Sequence, residues 1–155
     1  MVVWVDADAC PVVIKDILFR AANRWQVKVT LVANQMLKVL PSPWIQAIQV
    51  PGGFDVADQY IVDRSQAGDL VITGDIALAA SMLDKGCLAL SPRGERFDAG
   101  SIRERLQMRD MLEQLRDAGV QTTGPSVLSQ ADRRLFANAL DGLLFKRLRT
   151  SNSVT

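Results

Sequence analysis

Five aspartates stand where they can meet. Asp6 and Asp8 close the apolar run Met1-Val-Val-Trp-Val5, Asp55 and Asp58 follow Gly52-Gly53, and Asp75 closes the run Leu70-Val-Ile-Thr73. Strand ends and helix starts of this kind fall at one end of a single small sheet. Carboxylates held close repel: two charges about 4 Å apart cost about 4 kcal/mol at an effective dielectric of about 20. A fold that gathers them must neutralise them by protonation, by Lys or Arg, or by a divalent cation. The cation is the leading reading. Mg2+ and Mn2+ take oxygen ligands and keep several waters, and two such ions about 4 Å apart activate a water and stabilise a leaving oxygen. That is phosphodiester chemistry. The chain has no histidine, which excludes a His-containing zinc site and any His-dependent triad.

Each acid also has a plainer reading. Within Asp6-Ala-Asp8-Ala-Cys10-Pro11, Asp8 precedes a Pro-initiated helix and reads equally as a cap on backbone N–H groups. Asp6, at a strand end, has no cap to make. Asp55 and Asp58 are three apart and share a helix face; Asp55 alone reads as an ordinary N-cap, and Asp58 as a dipole-stabilised surface acid or a ligand. Thr73-Gly74-Asp75 is weak alone and gains weight beside the other two motifs. Cys10 reads as packing, because a thiol-phosphatase loop needs an Arg near residue 16, where Asp16 stands. Asn34 and Thr73 are expected to hold substrate or water, and Arg93 to contact phosphate. Lys38 and Arg96 are phosphate contacts or solvated surface. Trp44 and Phe54 are base-stacking platforms or core.

The elements that must position these residues alternate. Val2–Val5 and Val27–Val32 read as strands, with a helix opened by Pro11 between them and an apolar face of Val13, Ile14, Ile17, Leu18, Ala21 and Ala22. A connection over 33–46 with two prolines leads to a short third strand, Ala47–Val50. A helix from about Asp55 to Ala67, a strand Asp69–Thr73, a helix Ile76–Leu83 and a fifth strand Cys87–Leu90 follow. This order predicts an α/β fold: a mainly parallel five-stranded sheet covered on both faces, with C-terminal helices. In such sheets ligands bind beyond the carboxyl ends of the strands, where Asp6, Asp8 and Asp75 fall. Ser101-x-x-Glu104 reads as a capping box, Gly119 as a stop, and Ser129–Arg147 as a last helix.

The 155 residues are expected to form one domain over 1–150 with a frayed tail at 151–155. A hydrophobic content of 48% with 23% charged residues marks a globular chain rather than a disordered one. No apolar run reaches the roughly 20 residues of a membrane span, and a strand beginning at Met1 leaves no room for a leader, so a cytoplasmic location is expected. Net charge is +1, weak support for a polyanion partner. Ten of the eleven acids before residue 100 are Asp, a residue suited to caps, turns and oxygen-ligand sites.

Three stretches together carry a family resemblance: Asp6-Ala-Asp-Ala-Cys-Pro11, Val50-Pro-Gly-Gly-Phe-Asp-Val-Ala-Asp58 and Gly68-Asp-Leu-Val-Ile-Thr-Gly-Asp-Ile-Ala-Leu78. They resemble the bacterial YaiI/YqxD family over essentially the whole chain. That family is similar to the PIN-like nucleases, including the NYN group, and the resemblance implies their three-layer α/β/α sandwich. It further implies Mg2+ or Mn2+ held by Asp6, Asp58 and Asp75, with Asp55 resembling the Asp of a Gly-x-Asp segment, and RNA as the nucleic-acid partner. Such nucleases often carry another acid two residues beyond the last aspartate. Here that position is Ala77, which leaves Asp8 as the substitute fourth carboxylate or the site incomplete.

The reading reached is a metal-dependent RNase-like hydrolase with no membrane partner. One rival is a haloacid-dehalogenase-like phosphatase with Asp6 as nucleophile, Asp8 as acid/base and Thr73 on phosphate. Its usual Lys and late acidic motif are not evident, and Cys10 stands where Thr or Val is usual. A second rival is a catalytically silent RNA-binding scaffold.

Overall fold

The computed structural model describes residues 1–53, 55–119 and 127–152. Six strands form one sheet: β1 (Val2–Asp6), β2 (Lys28–Ala33), β3 (Ile45–Gln49), β4 (Leu70–Ile72), β5 (Leu88–Leu90) and β6 (Arg96–Phe97). Their order is β3-β2-β1-β4-β5-β6, all parallel except the last pair, β5 and β6, which is antiparallel. The expected five-stranded sheet therefore has a sixth strand. Two residues inside the loop after β5 are too few to show a period, and only their pairing with Ala89 and Leu90 makes them a strand. The third strand begins two residues earlier than expected, at Ile45.

Alternation along the strands divides the core. Val3 and Val5, Val29 and Leu31, Leu70 and Ile72, and Leu90 point to one face, where α1 (Val12–Trp25) and α5 (Gln130–Asn152) cover them with Ile14, Leu18, Phe136, Leu140 and Leu144. Trp4, Val32, Val71 and Ala89 point to the other, against Ile61 of α2 (Val56–Arg64), Leu78 and Met82 of α3 (Ile76–Asp84) and Ile102 of α4 (Ile102–Asp117). Helices on both faces of a parallel sheet make the expected three-layer α/β/α sandwich. Among the described residues no helix is long and apolar enough to cross a membrane.

Several local expectations are corrected. Asp8 does not cap α1; it sits in a 3-10 turn over Ala7–Ala9, and the residue preceding α1 is Pro11, whose missing N–H costs nothing there. Ser101 makes no capping bond, and Asp98 Oδ1 instead accepts from the Ser101 N–H at 2.9 Å. Helix α5 continues through Ser151 and Asn152, both expected in the tail; residues 153–155 lie outside the described residues.

The strand order has a consequence for ligands. From β1 the chain moves outward through β2 to β3, then returns to lay β4 on the other side of β1. The connections after β1 and β4 thus leave in opposite directions. A crevice opens at the carboxyl ends of these two strands, the topological switch point where open α/β sheets bind ligands.

Candidate active site

Asp6 and Asp75 stand at that crevice. Parallel register pairs Val5 with Ile72, so Asp6 and Thr73 leave the sheet side by side. The Thr73 hydroxyl donates to Asp6 Oδ2 at 3.0 Å and accepts from the Asp75 N–H at 2.9 Å. Thr73 itself is 1% exposed. It fixes the two aspartates against each other, so the hydroxyl expected to hold substrate or water is already bonded to protein on both sides.

Asp75 begins α3. Its Oδ1 accepts from the Ala77 and Leu78 N–H groups at 2.8 and 3.2 Å, so one carboxylate oxygen is committed to the helix and the plainer, capping reading also holds. Asp58 comes from the first turn of α2, which packs against β1, β2 and α3. Asp55 precedes that helix at φ +62, a left-handed conformation that Asp tolerates. It makes no side-chain cap. Asp55 and Asp58 border a small depression of about 130 Å³ between α2 and α3, with Asp55 exposed and Asp58 half-buried.

The carboxyls act on one another. Burial pushes the Asp58 pKa up to about 7, reinforced by the charges of Asp6 and Asp75, by hydrogen bonding with Asp75, and by Asp55. Burial also raises the pKa of Asp6; the Thr73 hydrogen bond works against this, while Asp75 and Asp8 add to it. None of the ion pairs among the described residues involves these five aspartates. Protonation or a cation is left to neutralise the cluster.

The fit to a cation is that of an open site. Among the described residues no three carboxylates are drawn together as a formed metal shell. Mg2+ keeps most of its waters and is held by one or two carboxylates plus substrate phosphate, so carboxylates that feel one another's charge without converging on one point suit it. Among the described residues no backbone N–H is bonded to the carboxylates of Asp6, Asp55 or Asp58, and Asp75 offers the oxygen its helix does not use.

The remaining expected residues lie further out. Asp8 is exposed, and its Oδ2 accepts from the Asn34 N–H at 2.8 Å. It ties the end of β2 to the turn after β1 and adds charge at the rim. Asn34 is exposed at that same junction, and its carbonyl accepts from Gln49 Nε2 at 3.4 Å. Arg93 is paired with Asp132 of α5 at 3.0 Å, so its charge is already answered. Gly94 (φ +87) makes this pairing possible: a Cβ there would lie 2.6 Å from the Leu135 and Phe136 backbone, so only glycine lets the loop lie on α5. Cys10 is buried, and burial pushes its thiol up to about 12, in keeping with packing. Trp44 packs against the core, Lys38 and Arg96 are exposed, and Phe54 lies outside the described residues.

Sequence reasoning passed over Asp69, a buried carboxylate at the opposite end of β4. It accepts from the Val2 N–H at 3.0 Å, Trp4 Nε1 at 3.1 Å and the Gln66 N–H at 2.9 Å. A lone Asp before an apolar run carries no signal for such a role. It also accounts for part of the Asp excess without any ligand.

No solved structure matches the chain. A UPF0178 protein of Bordetella petrii is 68% identical over 149 residues, covering 96% of this chain and 99% of the relative. One of Saccharophagus degradans is 62% identical over 151 residues, covering 97% and 100%. One of Dechloromonas aromatica is 60% identical over 146 residues, covering 94% and 97%. The family model for the uncharacterised YaiI/YqxD proteins matches residues 4–146. With near-complete overlap at such identity, and with Asp6, Asp58 and Asp75 all inside the matched span, the chain belongs to the YaiI/YqxD family.

Proposed function

We propose that the protein is a metal-dependent phosphodiesterase acting on RNA. What supports this reading is that Thr73 ties Asp6 to Asp75 at the switch point of the sheet, that Asp58 feels the charge of both, and that no basic side chain is paired to any of the three among the described residues. Asp6 and Asp75 anchor a Mg2+ or Mn2+ ion, and Asp58 and Asp8 orient waters in its shell. The bound ion supplies Lewis acidity and a water of lowered pKa. Thr73 would hold Asp6 in place, and the Asp58 carboxylate would orient the attacking water or accept its proton. RNA as substrate and the PIN-like nucleases as the wider kin rest on motif resemblance, an argument by analogy.

The phosphatase alternative requires Thr73 to bind phosphate, and its buried hydroxyl is already spent on Asp6. Geometry therefore favours the first reading. Incubating the protein with structured and unstructured RNAs and Mn2+ tests it: cleavage that disappears with chelator supports it, and intact RNA under all conditions rejects it.

A further inference from the structure

Beside Asp75 two cavities share a wall. One, of about 590 Å³, is lined by Pro11, Ile76, Phe97, Arg105 and Leu128. The other, of about 740 Å³, runs along α4 and includes Asp75 itself. Gly74, Ile76 and Arg105 border both. Asp75 and Arg105 both line the larger cavity, and Arg105 stands in the wall between the two.

Arg105 is built as a flat surface. Its two terminal nitrogens donate to the two carboxylate oxygens of Glu95, one of them at 2.9 Å. Beneath it lies the buried ring of Phe97, with the guanidinium carbon 4.8 Å from the ring centroid. A bidentate partner and an aromatic floor fix the plane in advance, so little freedom is lost when a second flat group lies on it. Glu95 already balances its charge, which makes Arg105 a poor phosphate anchor and a better stacking platform. Guanidinium planes stack unpaired bases in this way. The smaller cavity has the size of ordinary small-molecule sites, and its other walls are largely apolar.

We propose that this cavity receives a nucleobase of a single-stranded nucleic acid, the nucleotide next to the phosphate at the aspartate cluster, with Arg105 as its stacking platform. The proposal rests on the phosphodiesterase reading for its choice of ligand. A free mononucleotide presents the same chemistry, so both sources are compared.

The test uses the full chain with Ca2+ in place of Mn2+, so that the aspartate cluster is neutralised, and reads binding before products form. A 2-aminopurine-containing RNA hexamer and 2-aminopurine ribonucleoside monophosphate are titrated with protein, and stacking is read as fluorescence quenching. The hexamer is expected to be quenched and the monophosphate to bind more weakly. Arg105→Lys keeps the charge opposite Glu95 and loses the plane, so it weakens hexamer binding about tenfold. Arg103→Ala, an exposed position on the same helix, changes binding less than about twofold. Thermal melting confirms that each variant is folded. Absence of quenching in the wild type, or equal binding by Arg105→Lys, overturns the pocket. Tighter binding of the monophosphate than of the hexamer assigns the cavity to free nucleotides and overturns the strand. Arg105-dependent quenching without Mn2+-dependent cleavage leaves the pocket standing and removes the hydrolase reading. Cleavage without quenching does the reverse.

Discussion

The Thr73 hydroxyl joins the ends of two strands that are adjacent in the sheet and far apart in sequence: it donates to Asp6 Oδ2 at 3.0 Å while accepting from the Asp75 N–H at 2.9 Å. One buried side chain thereby sets the relation between two of the aspartates assigned to the cation. Thr73→Val removes the donor and acceptor together and keeps the volume. It is expected to cost about 1–3 kcal/mol of stability and to weaken Mn2+ binding, whereas Thr73→Ser retains most of both. Denaturant melts with and without Mn2+ check this; equal Mn2+ stabilisation in Thr73→Val and wild type contradicts it.

Burial raises the pKa of Asp58, and the charges of Asp6, Asp75 and Asp55 raise it further. Its folded-state pKa lies near 7, above that of an unfolded aspartate. The folded form therefore holds the proton more tightly, and this contribution to stability, complete in acid, is lost as pH rises through about 7. In EDTA the Tm is expected to fall between pH 6 and pH 8, and Asp58→Asn to flatten that fall. At pH 8 the variant should melt about 3 °C above wild type while losing hydrolysis. A steeper decline in the variant counts against the assignment.

A cation that replaces the proton at this cluster stabilises the fold most where the proton is absent. Mn2+ at about 100 times its Kd adds about 2.7 kcal/mol, seen as a rise in Tm that is larger at pH 8 than at pH 5.5. Asp6→Asn and Asp75→Asn should both reduce the rise. A shift of equal size in both variants at both pH values means that the ion binds elsewhere.

Asp69 provides a contrasting case. Its three bonds are all structural, so Asp69→Ala leaves donors of Val2, Trp4 and Gln66 without an acceptor and costs about 3 kcal/mol. The folded fraction should hydrolyse RNA at the wild-type rate. Loss of activity in fully folded Asp69→Ala contradicts this separation.

Much of the scaffold was legible because periodicity reports burial. The apolar runs of β1 and β2 and the apolar face of α1 can be read from residue types alone, and they locate Asp6 at a strand end. Residue 75 was legible as a carboxylate at the crevice for the same reason. Strand order was not, since nothing local tells β4 to return beside β1 rather than continue beyond β3. The antiparallel β6 is too short for any pattern. Side-chain partnerships formed across long separations were also out of reach: Arg93 reads as a free cation until Asp132, on α5, is seen to hold it. Asp8 precedes a proline and so resembles a cap, yet its partner is Asn34 at the end of another strand.

Hydrolysis by the aspartate cluster is tested most directly by incubating a panel of labelled RNAs with wild-type protein and Asp6→Asn, each with Mn2+ and with EDTA, and resolving the products on a gel. Fragments are expected only from wild type with Mn2+, at a rate at least about 100-fold above Asp6→Asn. Equal fragment yields from the two proteins, or fragments formed in EDTA, would contradict the account.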